Sequence, residues 1–277
     1  MYNKDKERSV EPILKWPGGK RRLAGKIHEL LPDGKRLVEP FVGSGAVSLA
    51  KEDRYESFWW NDASWHLMTA YEEMRNDFAR FFIELNKLTT NGDITEARYK
   101  MIRDRFNENT NNNVAACLIF LNKTCFNGIY RTNKEGKFNV PWNKVRKPFF
   151  PELQNICDLR EFLQRVELTL LDFSDVMAQC VRGDVVYCDP PYASLDDYGG
   201  WNGYSTVFGD DQQKLLAKAA EECAARGVPV VISNHDTKFT RKIYSKASQI
   251  HDLQVRRSVS CKNSGRRTVS EILVVYA

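Results

Sequence analysis

Arg36-Leu37-Val38-Glu39-Pro40-Phe41-Val42-Gly43-Ser44-Gly45-Ala46 reads as a short apolar strand, a tight turn and the start of a helix. Glycines at alternate positions let a backbone pass close to a ligand, or simply make a structural turn. A third glycine at the dinucleotide-binding spacing is missing, so a cofactor lacking phosphates fits better than one with a pyrophosphate. Further β-rich runs lie at 56–60, 166–171, 184–188, 228–233, 253–256 and 271–276. Helix-like stretches at 46–52 and 211–226 fall between them. Strand alternating with helix predicts an α/β fold with a mainly parallel sheet, whose ligands bind at the carboxyl ends of the strands.

From about residue 63 to 150 that alternation stops. Leu67, Tyr71, Met74, Phe78, Phe81, Phe82 and Leu85 follow helical spacing instead. The expected organisation is therefore a discontinuous core domain, residues 1–63 and 151–277, with a mainly helical insert over 64–150. The chain carries a net charge of +5, which suits a polyanionic partner without proving one. Its seven cysteines include no C-x-x-C pair, and the N-terminus has no apolar leader. Both features favour a reducing cytoplasm over a disulfide scaffold or a zinc module. Neither a metal site nor a membrane span is expected, and His28, His66, His235 and His251 are scattered.

Two more sites follow strand-like runs. Asp62 comes after the second run, where a carboxylate binds ribose hydroxyls or caps the next helix. Asp189-Pro190-Pro191-Tyr192 comes after 184–188. Two prolines have fixed φ and no N–H, so they make a rigid turn. That turn presents a carboxylate, a carbonyl and an aromatic ring together. It offers two acceptors for the two hydrogens of an exocyclic amine and a ring to stack on its base. His235-Asp236, after the fifth run, is read as positioning a loop near this turn.

With these residues in place, the chain resembles the GATC-recognising, Dam-type DNA adenine methyltransferases. The likeness is carried by ILKWPGGK, LVEPFVGSGAV, NDAS, FNGIYR, GKFNVP, KPFFP, VVYCDPPY and VISNHDT, in that order. It implies a Rossmann-like methyltransferase sheet with a target-recognition insert carrying a β-hairpin. It also implies methyl transfer from S-adenosylmethionine to adenine N6 in double-stranded GATC DNA, by base flipping and direct attack. S-adenosylhomocysteine would be the product. Asp189, Pro190, Pro191 and Tyr192 would be catalytic. Trp16, Lys20, Phe41, Gly43, Gly45, Asp62, Asp172, Phe173 and Asp189 would meet the cofactor. Lys15 and Arg131 would read the outer guanines. Ile129 and Pro141 would touch a thymine methyl, Phe126 would wedge between bases, and Asn127 would fill the vacated space, with Asn139 beside them. A basic loop with Arg256, Arg257, Lys262, Arg266 and Arg267 would meet phosphate. The enzyme would act as a monomer in the cytoplasm. The alternatives are N6-adenine methylation at another sequence and an inactive DNA-binding relative. Phe126, Val145 and Pro17 depart from the family pattern, which has tyrosine, an aromatic residue and alanine there.

Overall fold

The computed structural model of the chain describes residues 10–90, 92–108, 113–194, 208–256 and 268–277. They fall into two compact units. One holds the described parts of Met1–Gly25, Gly43–Glu56 and Ser64–Leu168, and the other those of Lys26–Val42, Ser57–Ala63 and Thr169–Ala277. Residues 43–56 and 151–168 thus group by proximity with the helices.

In chain order the elements are α1 (Ala24–Leu30), β1 (Arg36–Glu39), α2 (Ala46–Ala50), β2 (Ser57–Asn61), α3 (Trp65–Asn76), α4 (Phe78–Thr90), α5 (Glu96–Asn107) and α6 (Val114–Thr124). Then come α7 (Leu153–Leu163), β3 (Val166–Thr169), α8 (Phe173–Gln179), β4 (Asp184–Cys188), α9 (Asp210–Ala225), β5 (Val230–His235), α10 (Lys238–Ile243), β6 (Gln249–Arg256) and β7 (Thr268–Tyr276).

The sheet runs β3-β2-β1-β4-β5-β7-β6. β1 pairs parallel with β2 and β4, and β4 with β5; β7 is antiparallel to both β5 and β6. All residues of β4 and β5 are buried, as expected of valine-rich strands covered on both faces. Their core includes Val186, Val230, Ile232 and Val274, with Val176, Leu216 and Ala220 from α8 and α9. The register of β1 against β4 is fixed by an ion pair. Arg36 Nε and Nη2 donate to the two carboxylate oxygens of Asp184, each at 2.9 Å, and Asp184 is buried. Such a two-pronged bond has little geometric freedom, and removing one member of a buried pair costs about 3–5 kcal/mol.

The helical unit is organised by α6. Nearly every residue of Val114–Thr124 is buried, and α3, α4 and α5 pack around it. A helix that is apolar on all sides must lie inside a bundle. Its amino end is satisfied by Glu73 of α3, whose carboxylate accepts from Val114 N at 3.1 Å and Ala115 N at 2.8 Å. Among the described residues no helix is long and apolar enough to cross a membrane.

Candidate active site

The strand order reverses between β1 and β4, and the loops after both strands carry expected site residues. After β4, Asp189 is half-buried, Pro190 buried, and Pro191 and Tyr192 half-buried. The turn is braced from behind. Gln213 Nε2 of α9 donates to the Pro191 carbonyl at 2.7 Å. Asn234 of β5 accepts from Ala193 N at 3.1 Å and donates to Gln213 Oε1 at 2.8 Å. His235 Nδ1 bonds the Ala193 carbonyl at 2.6 Å, so the expected loop-positioning role falls to His235. Asp236 instead pairs with Arg241, at 2.6 and 3.0 Å.

Tyr192 stands edge-on to His235, with ring centroids 4.8 Å apart, and its hydroxyl donates to Glu271 at 3.2 Å. Burial, and next the Asp189 carboxylate, raise the Tyr192 pKa well above its ordinary value, so the ring stays neutral. Glu271, Gln213 and Asn234 escaped the sequence reading. Glu271 reaches this end of the sheet because β7 runs antiparallel, opposite His235.

After β1, Phe41 meets Phe173 at 5.2 Å and Phe208 at 5.5 Å, and Phe173 meets Phe208 at 5.5 Å. Three rings thus make an apolar surface beside the strand ends. Asp62 is half-buried after β2, and the helix that follows is capped by Ser64, not by Asp62. Its neighbour Asn61 is a knot between strands. Asn61 Nδ2 donates to the Pro40 and Leu171 carbonyls at 3.0 and 3.1 Å, while its Oδ1 accepts from Thr169 and Leu171 N. That knot sets where Asp62 and Asp172 emerge. Asp172 is exposed and caps α8, accepting from Ser174 N at 2.9 Å.

In the helical unit, Gly43 has φ 50° and Gly45 φ 69°. A Cβ on Gly43 would come within 2.7 Å of Trp16 Cδ1, so the position requires glycine for space as well as for backbone. The Gly43 carbonyl accepts from Tyr71 Oη at 2.8 Å. Trp16 is half-buried and stacks on Tyr130 at 4.6 Å. Lys20 is buried, and its Nζ donates to the Gly18 carbonyl at 2.7 Å.

The expected hairpin is an arm held by isolated antiparallel bridges, Cys125↔Trp142 and Thr132↔Phe138, with a 3-10 turn at Phe126–Gly128. Asn133 folds its tip by accepting from Glu135 N and Lys137 N at 3.0 and 2.9 Å. Sides alternate along the arm: Phe138 and Val140 are buried, while Arg131, Asn139 and Pro141 are exposed. Phe126 and Asn127 are exposed, and Ile129 is half-buried. Arg131 Nε donates to Asn139 Oδ1 at 2.8 Å, so one expected reader orients the other.

Lys15 is exposed, and its main chain is clamped by buried Asn122. Asn122 accepts from Lys15 N at 2.8 Å, donates to Lys15 O at 2.8 Å and donates to Gly128 O at 3.1 Å. An asparagine at the end of the apolar run Val114–Leu121 was the available signal for this clamp. Arg257, Lys262, Arg266 and Arg267 lie outside the described residues, as does the side chain of Arg256.

The description "D12 class N6 adenine-specific DNA methyltransferase" matches residues 16–259. The DNA adenine methylase of Escherichia coli K12 is 38% identical over 269 residues, covering 95% of this chain and 94% of that protein. That of Serratia marcescens is 35% identical over 267 residues, covering 95% and 97%. The DNA N-6-adenine-methyltransferase of Escherichia phage P1 is 34% identical over 289 residues, covering 97% of this chain and 36% of the phage protein. With that match and these relatives spanning most of its length, the chain belongs to the D12 class of N6 adenine-specific DNA methyltransferases.

Proposed function

We propose that the chain methylates adenine N6 within double-stranded GATC, after turning the base out of the helix, and that residues 64–150 are its target-recognition domain. The observation that carries this reading is the outward row Phe126, Asn127, Arg131, Asn139 and Pro141 on the bridged arm. A guanidinium held by Asn139 suits the two acceptors on the major-groove edge of guanine. Exposed Phe126 suits a wedge that replaces lost base stacking. The DNA adenine methylase names of the relatives support the same reading.

S-adenosylmethionine is the methyl donor that membership of a methyltransferase family implies. When bound, it supplies a methyl group on a positively charged sulfur. The side chains present fit such a molecule. Phe41, Phe173 and Phe208 offer apolar contact, while Asp62 and Asp172 offer carboxylates to hydroxyl and amino groups. Trp16, Lys20, Gly43 and Gly45 are the proposed contacts of the helical unit, where the Gly43 turn leaves no room for a Cβ.

For the target, the Asp189 carboxylate and the Pro190 carbonyl would each accept one N6 hydrogen. The nitrogen lone pair is then less shared with the ring and better able to attack. Tyr192 would lie against the flipped base, its hydroxyl anchored by Glu271. The bracing by Gln213, Asn234 and His235 holds this geometry before the base arrives, which lowers the entropy lost at the moment of reaction. The test is methyl transfer to a duplex with one GATC against duplexes changed at each position in turn, followed by nucleoside analysis. N6-methyladenine from the GATC duplex alone is expected, and equal labelling of all duplexes would refute the assignment.

Electrostatics at the foot of the arm gives a pH prediction. Burial, and next the neighbouring Lys15 charge, push the Lys123 ammonium down to about 8. Lys123 is therefore charged below that pH and loses its attraction for phosphate as the pH rises through it. Duplex affinity should fall from about pH 7 to about pH 9, and Lys123→Met should flatten that fall. Identical pH profiles for the two proteins would remove Lys123 from the DNA contact.

A further inference from the structure

Within the helical unit, a continuous line of contacts joins the recognition arm to the Gly43 turn. Tyr130, between Ile129 and Arg131, is buried and stacks on Trp16, with centroids 4.6 Å apart and planes 20° from parallel. Trp16 in turn lies so close over Gly43 that a Cβ there would be 2.7 Å from its ring. The Tyr130 hydroxyl bonds His66 Nδ1 at 2.8 Å, and His66 stacks on Phe106 at 4.4 Å. Tyr130 is also tilted against Phe138, on the opposite limb of the arm, at 5.9 Å. Asn122 ties the same two segments a second time, through Lys15 and Gly128. A Cβ on Gly128 would be 2.7 Å from Lys15 Cδ, so these segments touch without slack.

Close-packed contacts transmit small displacements because they cannot be compressed. A base pair that engages Arg131 or Ile129 must load Tyr130, the residue between them. Tyr130 cannot move without disturbing Trp16, Phe138 or its bond to His66. We propose that Tyr130 is a positioning residue which couples occupancy of the recognition arm to the set of the Gly43 turn. Cognate DNA and the cofactor would thereby favour each other's binding. This rests on the reading of Phe126–Arg131 as the recognition segment. Tyr130 itself is buried, behind the exposed face of the arm. Its tyrosine hydroxyl fixes the ring plane through His66, and the ring face does the coupling.

The test is calorimetric binding of S-adenosylhomocysteine, a product that cannot turn over, with and without a saturating GATC duplex. By linkage, the factor by which DNA tightens the nucleoside equals that by which the nucleoside tightens DNA, and such factors run from about 5- to 150-fold. Tyr130→Leu keeps the buried position apolar but removes the ring, and is expected to cut the factor by at least about fivefold. Its affinity in the absence of DNA should change less than about twofold. Tyr130→Phe keeps the stack and should keep most of the factor. Three results would overturn the proposal: an unchanged factor in Tyr130→Leu, an equal loss with and without DNA, or no tightening by DNA in the unaltered protein. Arg131→Ala, assayed in parallel on duplexes altered at the outer guanine, tests the recognition reading separately. Its selective loss of discrimination, together with an unchanged factor in Tyr130→Leu, would refute the coupling and leave that reading standing.

Discussion

Replacing Asp189 by alanine is expected to abolish methyl transfer while duplex DNA still binds. The variant removes one of two acceptors proposed for the N6 hydrogens and leaves the Pro190 carbonyl in place. Losing a single preorganised group of this kind costs about 10²–10³ in turnover rate. The turn itself is braced through the Pro191 carbonyl and Ala193, so its backbone should keep its place in the variant. DNA affinity comes mostly from phosphate contacts and should stay measurable. Single-turnover transfer with labelled donor, beside a duplex-binding titration, checks both halves. If the variant retained more than a few per cent of the original rate, Asp189 would not hold the amine.

Arg131→Ala should lower discrimination more than affinity. A two-pronged contact to guanine is worth about 1–3 kcal/mol against the wrong base, or roughly ten- to a hundredfold. The guanidinium is exposed, and its Nε donates to Asn139 Oδ1 at 2.8 Å and its Nη2 to the Asn139 carbonyl at 3.5 Å. The orientation is therefore set in advance, and little ordering is left for the DNA to impose. The comparison is kcat/KM on GATC against duplexes changed at one outer guanine, over a salt series. An equal drop on every duplex, with a salt slope smaller by about one, would make Arg131 a phosphate contact instead.

How far the sequence could be read depended on whether local pattern or distant partners fixed an element. β-Rich runs bounded by turns located the seven strands of the described residues, and β1 and β4 begin and end where expected. β5 was read as 228–233 but forms at Val230–His235. Asn234 and His235 look polar, yet both are buried because Gln213 and Ala193 satisfy them. β6 was read as 253–256, whereas Gln249–Arg256 forms; its polar first half is held by pairing with β7, which no local pattern records.

The same division applies to the candidate site. The motifs marked Asp189–Tyr192, the glycine turn and the recognition arm. The groups that hold the Asp189–Tyr192 turn, Glu271 and Gln213, come from distant sequence and carried no periodic signal. Glu271 resembles a solvent-facing charge within an apolar run, and only the antiparallel placing of β7 explains why it is buried against Tyr192.

The central claim is that this methyltransferase acts on adenine N6 in GATC. A mixed-sequence plasmid lacking prior methylation, incubated with enzyme and S-adenosylmethionine and read by single-molecule sequencing, tests it most directly. The expected map places N6-methyladenine at the adenine of GATC on both strands. Methylation spread mainly over other sequences would contradict the target assignment, and a modified plasmid carrying no N6-methyladenine would contradict the chemistry itself.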